Sequence, residues 1–526
     1  MLKKVKNISW IFLSCIVLAC SSTPSNPQKE VLEAKTPFVQ TKELQENPNS
    51  YRIQKQAAKP FTPSDANQFI EFDKITLQKA LPKDINRFES QSAELLQKLK
   101  DVLMSAKNSP VSIVHFGDSH VQLGYAQQIT RDYLQHDFGR GGRGLIFPYA
   151  IAKTYSQSDY VSKFTGNWEY ASSIQEYPKI PLGVGGFVAK TSDPQPSFTI
   201  SFNSELPKKN NRIELFYRLQ SNSVPVSIHI DKYQYSDVLV PSSNKNIPNV
   251  LRINVQDIQD TLHLVFDIPQ GDKNFLEIYG LNIESSENGI TYHNAGVGGA
   301  NYGAILAQSY FEMQLEALKP SVVILDYGTN DILYKNQVPP NLETKIIQTI
   351  AKVRAAQPNS IIILMPPQDM FFKGRNISSA KELNQLLKKL AMQNNCLFYD
   401  WYRISGGADA MKAWVSYGIG RNDHIHLTNK GYFLKGFLLA QAFENSINTV
   451  EHRSSALDLK DGDSHSVVSW LKEQTTLKEG SGMKSNAANT NPKSNHSKPV
   501  KQAAPQKKSQ SKTTTNSSGT KKKNKP

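Results

Sequence analysis

Residues 111–126, "VSIVHFGDSHVQLGYA", read as a short apolar strand that ends at a serine and runs on into a segment able to form a helix. In an open parallel sheet, functional groups sit in the crevice outside the carboxyl ends of the strands. A helix N-terminus at that place offers unpaired backbone N–H groups and a dipole that favours developing negative charge. Ser119 therefore stands where a nucleophile belongs. The tetrapeptide Gly-Asp-Ser-His recurs at 462–465, but there it follows the charged stretch "LDLKD" and lies close to the tail. That second copy reads as a chance match in a linker.

Working outward, the pattern before this strand is helical: Leu95, Leu96, Leu99, Val102, Leu103 and Ala106 recur at helical spacing. After it the chain changes character twice. Between about 156 and 286 the segments "FTISF", "RIELFYR", "VSIHID", "LRINVQ", "TLHLVFD" and "FLEIYGLNI" alternate and are broken by turn residues. Evenly punctuated strands of this kind indicate a β-sandwich. From about 290 to 447, strands "SVVILDYG", "SIIILMP" and "CLFYD" alternate with amphipathic helices, the last starting near Asn429. That alternation implies a parallel sheet covered on both faces. Since "VSIVHF" would be its first strand, the β-rich segment reads as an insertion into an α/β domain.

The formal charge of +15 sits at the ends of the chain. Lys3, Lys4 and Lys6 lie in the first twenty residues, eleven lysines and no acid lie in 481–526, and residues 21–480 carry about +1. A basic body that would grip nucleic acid is therefore excluded. The N-terminus pairs a basic region with a short apolar run from about Ile8 to Ala19, too short for a spanning helix and suited to export. It ends in "VLAC-SS", which resembles the lipobox of bacterial lipoproteins and implies a lipidated Cys20 that anchors an exported protein in the cell envelope. Residues 21–65 and the lysine-rich segment beyond about 475 are expected to be disordered. With Cys15 in the signal and Cys20 acylated, Cys396 is left as a buried core thiol, and a disulfide framework or Cys-based metal site is excluded.

A serine hydroxyl needs a base, and the base needs an orienting group. "GIGRNDHIHLTNKGYF" offers Asp423 and His426 within one loop, with His424 as the competing imidazole. The Asp-x-x-His spacing favours His426. Donors for an oxyanion could come from Gly299 in "HNAGVGGANY" and from the amide of Asn330 in "DYGTNDIL". Three other patterns read as decoys. "GRGGRG" (139–144) fits a dinucleotide fingerprint but follows a helix, and is expected to be a loop. "HIH" (424–426) with His115 or His120 could bind a metal, but the triad reading uses these residues better. The basic tail, behind an export signal, points to lipid head groups, wall polymers or nothing specific rather than nucleic acid.

Gly117-Asp118-Ser119-His120, Asn294-x-Gly296-x-x-Gly299, Gly328-x-Asn330-Asp331 and Asp423-x-x-His426 together resemble the four blocks of the SGNH (GDSL-type) hydrolases. The resemblance covers roughly 110–155 and 287–447. It implies a flavodoxin-like α/β/α sandwich and a serine esterase without cofactor or metal. Ser119 would be the nucleophile, His426 the base and Asp423 its orienting acid. Ser119 N–H, Gly299 N–H and the Asn330 amide would form the oxyanion hole. His120 departs from the family's usual leucine at a position that is not catalytic.

"FGRGGRGLIFP", the insertion between blocks one and two, and "DWYRISGGADAMKAWVSYGIGRNDHIHLTNKGY" look like the peptidoglycan O-acetylesterases in particular. Those enzymes carry a carbohydrate-binding-module-like sandwich at this place and remove acetyl groups from wall glycan. Trp168 and Tyr170 could stack on sugar there, though both read first as buried core. The expected organisation is a lipoprotein signal (1–20), a tether (21–65), a first hydrolase segment with a preceding helix (66–155), the inserted β-sandwich (156–286), a second hydrolase segment (287–450), and a linker with a basic tail (451–526). The competing readings are acetyl transfer to a sugar, an esterase for another acylated polysaccharide, and a wall-binding lipoprotein without turnover.

Overall fold

The computed structural model describes residues 85–448, apart from 204–205, 207–210, 256–257, 259 and 272–273, together with 467–468. The expected signal, Cys20, the tether, the second Gly-Asp-Ser-His and the basic tail lie outside the described residues.

Helix α1 (Ala93–Ser105) leads into β1 (Pro110–Gly117). Ser92 caps α1 by accepting from Leu95 N–H, and Leu95, Leu99 and Leu103 bury one face. After β1 the helix expected from the sequence is broken at Gly124, giving α2 (Ser119–Gln122) and α3 (Tyr125–Phe138), followed by β2 (Arg140–Ile146). The insertion then runs through β3 (Tyr160–Thr165), β4 (Glu169–Ser172), β5 (Phe187–Thr191) and β6 (Ser197–Phe202). It continues through β7 (Asn211–Leu219), β8 (Val224–Ile230), β9 (Tyr233–Leu239), β10 (Asn249–Val255), β11 (Thr261–Phe266) and β12 (Leu276–Ser285).

The chain returns in β13 (Gly289–Gly296), α4 (Gly303–Leu306), α5 (Phe311–Leu318) and β14 (Val322–Asp326). The short α6 (Thr329–Ile332) and then α7 (Leu342–Ala356) lead to β15 (Ile361–Met365). A small hairpin, β16 (Phe371–Phe372) and β17 (Arg375–Asn376), precedes α8 (Ser379–Gln393) and β18 (Leu397–Phe398). Three helices close the described chain: α9 (Trp401–Ser405), α10 (Ala410–Ser416) and α11 (Asn429–Asn448).

Strands β13-β1-β14-β15-β18 are parallel neighbours in that order. In order of appearance this is 2-1-3-4-5, the flavodoxin-like arrangement. Val322–Asp326 and Ile361–Met365 are buried throughout, as strands covered on both faces must be. Inside the insertion, β3-β6-β11-β8-β9 form one antiparallel sheet. The facing sheet holds β10, β7 and β12, with β5 and β4 paired along the side of β12.

Two expectations need correction. "GRGGRG" is no loop: it forms most of β2, which lies between β12 (antiparallel) and β13 (parallel). A Cβ at Gly141 would come within 2.7 Å of Gly289 O, and one at Gly142 within 2.6 Å of Glu284 Cα. The glycines let two backbones close on this strand. As a result the insertion is not a bead on the loop; one of its sheets is continuous with the hydrolase sheet through the β2–β12 pair. Arg143 seals the joint, donating to Asp159 Oδ1 (2.6 Å) and Oδ2 (3.0 Å), where Arg131 from α3 also reaches Oδ2 (3.2 Å). Tyr170, expected in the core, is 40 % exposed. Trp168 packs partly on the core, with its Nε1–H donated to Thr165 O.

Candidate active site

The central strand β1 delivers Ser119 at its carboxyl end, while the flanking strands β13 and β14 deliver the loops carrying Gly299 and Asn330. Gly117 is level with Gly296 on one side and with Asp326 on the other, so the three loops leave the sheet side by side. Asp118 caps α2 through its side chain, accepting from His120 N–H at 2.9 Å. Burial, with the nearby Asp326 charge, pushes the Asp118 carboxyl up to about 6.

The fourth contribution comes from the stretch between α10 and α11. A tight ribbon closes there: Arg421 N–H donates to His426 O, Thr428 N–H donates to Ile419 O, and Gly420 bridges Leu427. Its tip holds Asp423, whose Oδ1 accepts the backbone N–H of Ile425 and of His426, each at 2.9 Å. Asp423 Oδ2 lies 2.8 Å from His426 Nδ1, and His426 Nε2 lies 2.9 Å from Ser119 Oγ. Partial burial would raise the Asp423 carboxyl, but the Ile425 N–H and the His426 ring outweigh it and hold it below the usual range. Ser119, His426 and Asp423 are thus in line. His424 turns elsewhere, with Nδ1 at 2.9 Å from Asn422 O and its ring against Phe371.

Gly299 has φ +85°, a conformation side chains disfavour. Its N–H makes no hydrogen bond among the described residues. The neighbouring Gly298 N–H is held by Gln122 Oε1 at 2.5 Å, and Gln122 Nε2 donates to Tyr155 O at 2.9 Å. Asn330 donates one amide hydrogen to Ala300 O at 2.9 Å, which turns the amide along the Gly299 loop and leaves its second hydrogen free. The orphan N–H of Ser119 completes a set of three donors.

Several residues around this site gave no sequence signal. Gln368 accepts Trp401 Nε1–H at 3.0 Å, which fixes which end of its amide is nitrogen. That nitrogen donates to Ile425 O (3.0 Å) in the catalytic ribbon and to His120 Nε2 (3.2 Å). His120 therefore carries its proton on Nδ1 and donates to Tyr432 Oη at 3.0 Å. Burial, then the neighbouring His426, drives its pKa well below the ordinary value, so it stays neutral behind His426 at a ring separation of 5.1 Å. Deeper still, Lys435 Nζ lies 2.8 Å from Asp326 Oδ2, with His115 Nε2 3.4 Å from the same oxygen and Tyr292 Oη 2.7 Å from His115 Nδ1. His115, His120 and His426 are each engaged separately.

Residues 282–434 match the GDSL-like Lipase/Acylhydrolase family. The matched span contains Gly299, Asn330, Asp423 and His426 and begins at the end of the insertion; Ser119 lies upstream of it. Among solved structures, the chain resembles "Peptidoglycan O-acetylesterase in action, 5 min" at 22 % identity, covering 69 % of this chain and 99 % of that one with a TM-score of 0.56. A family two carbohydrate esterase from Clostridium thermocellum in complex with cellohexaose matches at 9 % identity over 54 % of this chain and 99 % of that one, at a TM-score of 0.24. An acetylxylan esterase mutant from Geobacillus stearothermophilus matches at 21 % over 30 % and 73 %, also at 0.24. Curated protein sequences contain no match.

Proposed function

We propose a substrate and a cellular setting for what is, by its matched residues and its fold, a GDSL-like acylhydrolase of the SGNH type and a carboxylic ester hydrolase. The reading is an O-acetylesterase acting on cell-wall glycan, with peptidoglycan as the substrate. The observation that carries the chemistry is the aligned Ser119–His426–Asp423 array at 2.9 and 2.8 Å. The choice of a glycan is supported by the insertion's approach to this array. Ile174, from the turn after β4, stands 3.5 Å from where a Cβ on Gly299 would lie. From the hydrolase side, at the end of its first segment, Tyr155 Oη stands 2.9 Å from the corresponding point on Gly298. The peptidoglycan O-acetylesterase fold, spanned almost completely, points the same way.

In the proposed reaction, Ser119 Oγ attacks the acetyl carbonyl carbon as its proton passes to His426 Nε2. The carbonyl oxygen becomes an oxyanion facing Ser119 N–H, Gly299 N–H and the Asn330 amide. Collapse breaks the ester C–O bond, and the sugar hydroxyl departs with the proton from His426. Water then repeats the sequence on the acetyl-enzyme and releases acetate. Asp423 supports the imidazolium and holds its tautomer. Export and anchoring through an acylated Cys20 belong to the same proposal and would place the enzyme in the envelope beside its substrate. Changing Cys20 to Ala should move the protein from the membrane to the soluble fraction.

The test is acetate release from O-acetylated peptidoglycan by wild type, Ser119→Ala and Asn330→Ala, with de-O-acetylated wall as blank. Release should vanish in Ser119→Ala and fall on the order of 10²–10³ in kcat in Asn330→Ala. Serine-dependent cleavage of a small aryl acetate without release from wall would refute peptidoglycan and keep the esterase.

A further inference from the structure

On the rim of this site, away from the insertion, Tyr334 and Phe372 meet edge to face at 5.4 Å and 86°. Tyr334 is 71 % exposed. It lies four residues beyond Asn330 on one helical run, since Leu333 N–H donates to Thr329 O and Asn336 N–H to Ile332 O. The β16–β17 hairpin carrying Phe372 is tied to the catalytic ribbon, because Phe371 N–H donates to His424 O at 2.9 Å. Asn336 joins the two pieces: its Nδ2 donates to Asn376 O (3.3 Å) and its Oδ1 accepts Ser379 N–H (3.0 Å). The aromatic pair is therefore held rigid beside the catalytic residues, with one side of Phe372 packed on the core and Tyr334 left bare.

The unpaired charge around it is positive. Lys373 and Gly374 both have positive φ and make the hairpin's two-residue turn. Lys373 Nζ lies 5.3 Å from the Phe372 ring centroid. Lys335 and Arg375 are exposed on either side, and none of these three cations has a carboxylate partner among the described residues. Of the acids at this rim, Asp409 is occupied by Lys412 at 3.1 Å and Asp369 accepts from Asn376 Nδ2 at 2.7 Å.

We infer that Tyr334 and Phe372, with Lys335, Lys373 and Arg375, form a subsite for a sugar ring of a carboxylate-bearing glycan chain, next to the residue being deacylated. An exposed aromatic face takes the C–H face of a sugar, and the unpaired cations take carboxylates along the strand. The inference rests on the glycan-esterase reading above and assigns the residues that hold the acidic chain beside the site.

The test uses the full chain with three probes: chemically O-acetylated polygalacturonate, O-acetylated glucomannan as the neutral polymer, and 4-nitrophenyl acetate. Tyr334→Ala should raise KM for the acidic polymer about tenfold and leave aryl acetate turnover unchanged. The double charge reversal Lys373→Glu with Arg375→Glu should raise KM for polygalacturonate about tenfold, leave glucomannan unchanged, and reduce the salt sensitivity of the former. Unchanged KM on polygalacturonate in both variants would overturn the inference. So would equal losses on the two polymers after charge reversal, or a change only in oligomeric state, which would make the patch a protein contact. If aryl acetate cleavage proves independent of Ser119, the esterase reading itself fails. The subsite is then judged by whether Ser119→Ala is retarded by unacetylated polygalacturonate in a native gel and Ser119→Ala/Tyr334→Ala is not.

Discussion

Asp331 follows the proposed oxyanion donor directly, yet its carboxylate turns inward, accepting Tyr302 N–H at 3.3 Å. Burial raises it to about 7. Between roughly pH 4 and 7 the folded chain thus keeps a proton that the unfolded chain has released. Stability falls as pH rises through that window, and the deficit is complete above it. Asp331→Asn keeps an acceptor for Tyr302 and cannot ionise, so its melting temperature should exceed that of wild type by a margin that grows from pH 5 to pH 8. Equal margins at both pH values in thermal unfolding would show that the carboxyl is not held protonated. At this scale legibility followed distance along the chain. Asp423 and His426 share one loop and could be recognised together. Gln122 and Gln368 act on Gly298 and His120, 176 and 248 residues away, and no local pattern marks a glutamine whose partner is supplied only by the fold.

Strands and helices were legible where burial imposes a period, and this covers β1, β14, β15, α1, α7, α8 and α11. Strand β2 was not, because its glycine content answers to the backbones on either side of it rather than to strand propensity. Strands β3, β4, β5, β9, β13 and the short β16–β17 hairpin were also missed; β9 alternates, but with exposed Gln234, Ser236 and Val238 it offers little apolar signal. Helix α11 carries a cost that its sequence conceals: Lys435 is 1 % exposed beneath the nucleophile strand, neutralising Asp326. Lys435→Met removes the cation and strands the carboxylate, so the fold should lose about 3–5 kcal/mol. Denaturant unfolding measures this directly. A loss below 1 kcal/mol would mean that Asp326 takes up a proton or finds another partner, an outcome that a shifted pH profile of stability would reveal.

For the molecule as a whole, the β2–β12 pair decides whether the insertion is an accessory or a structural part. Excising residues 156–286 behind a short glycine-serine linker strips β2 of one neighbour and Arg143 of Asp159. The expected product is insoluble or unfolded by circular dichroism and inert toward aryl acetates. A soluble, active remnant would show that the shared sheet is dispensable. The same connectivity also sets a timetable. Strand β1 pairs with β13 across a gap of about 170 residues, a long-range closure that folding makes slowly. On a chain emerging N-terminus first, the nucleophile strand must wait with both edges open until the whole β-rich segment has been synthesised and its far end brought back. Refolding should therefore show β structure well before the first turnover, and the interval between them is when an unpaired Ile113–Phe116 edge most needs shielding from other chains.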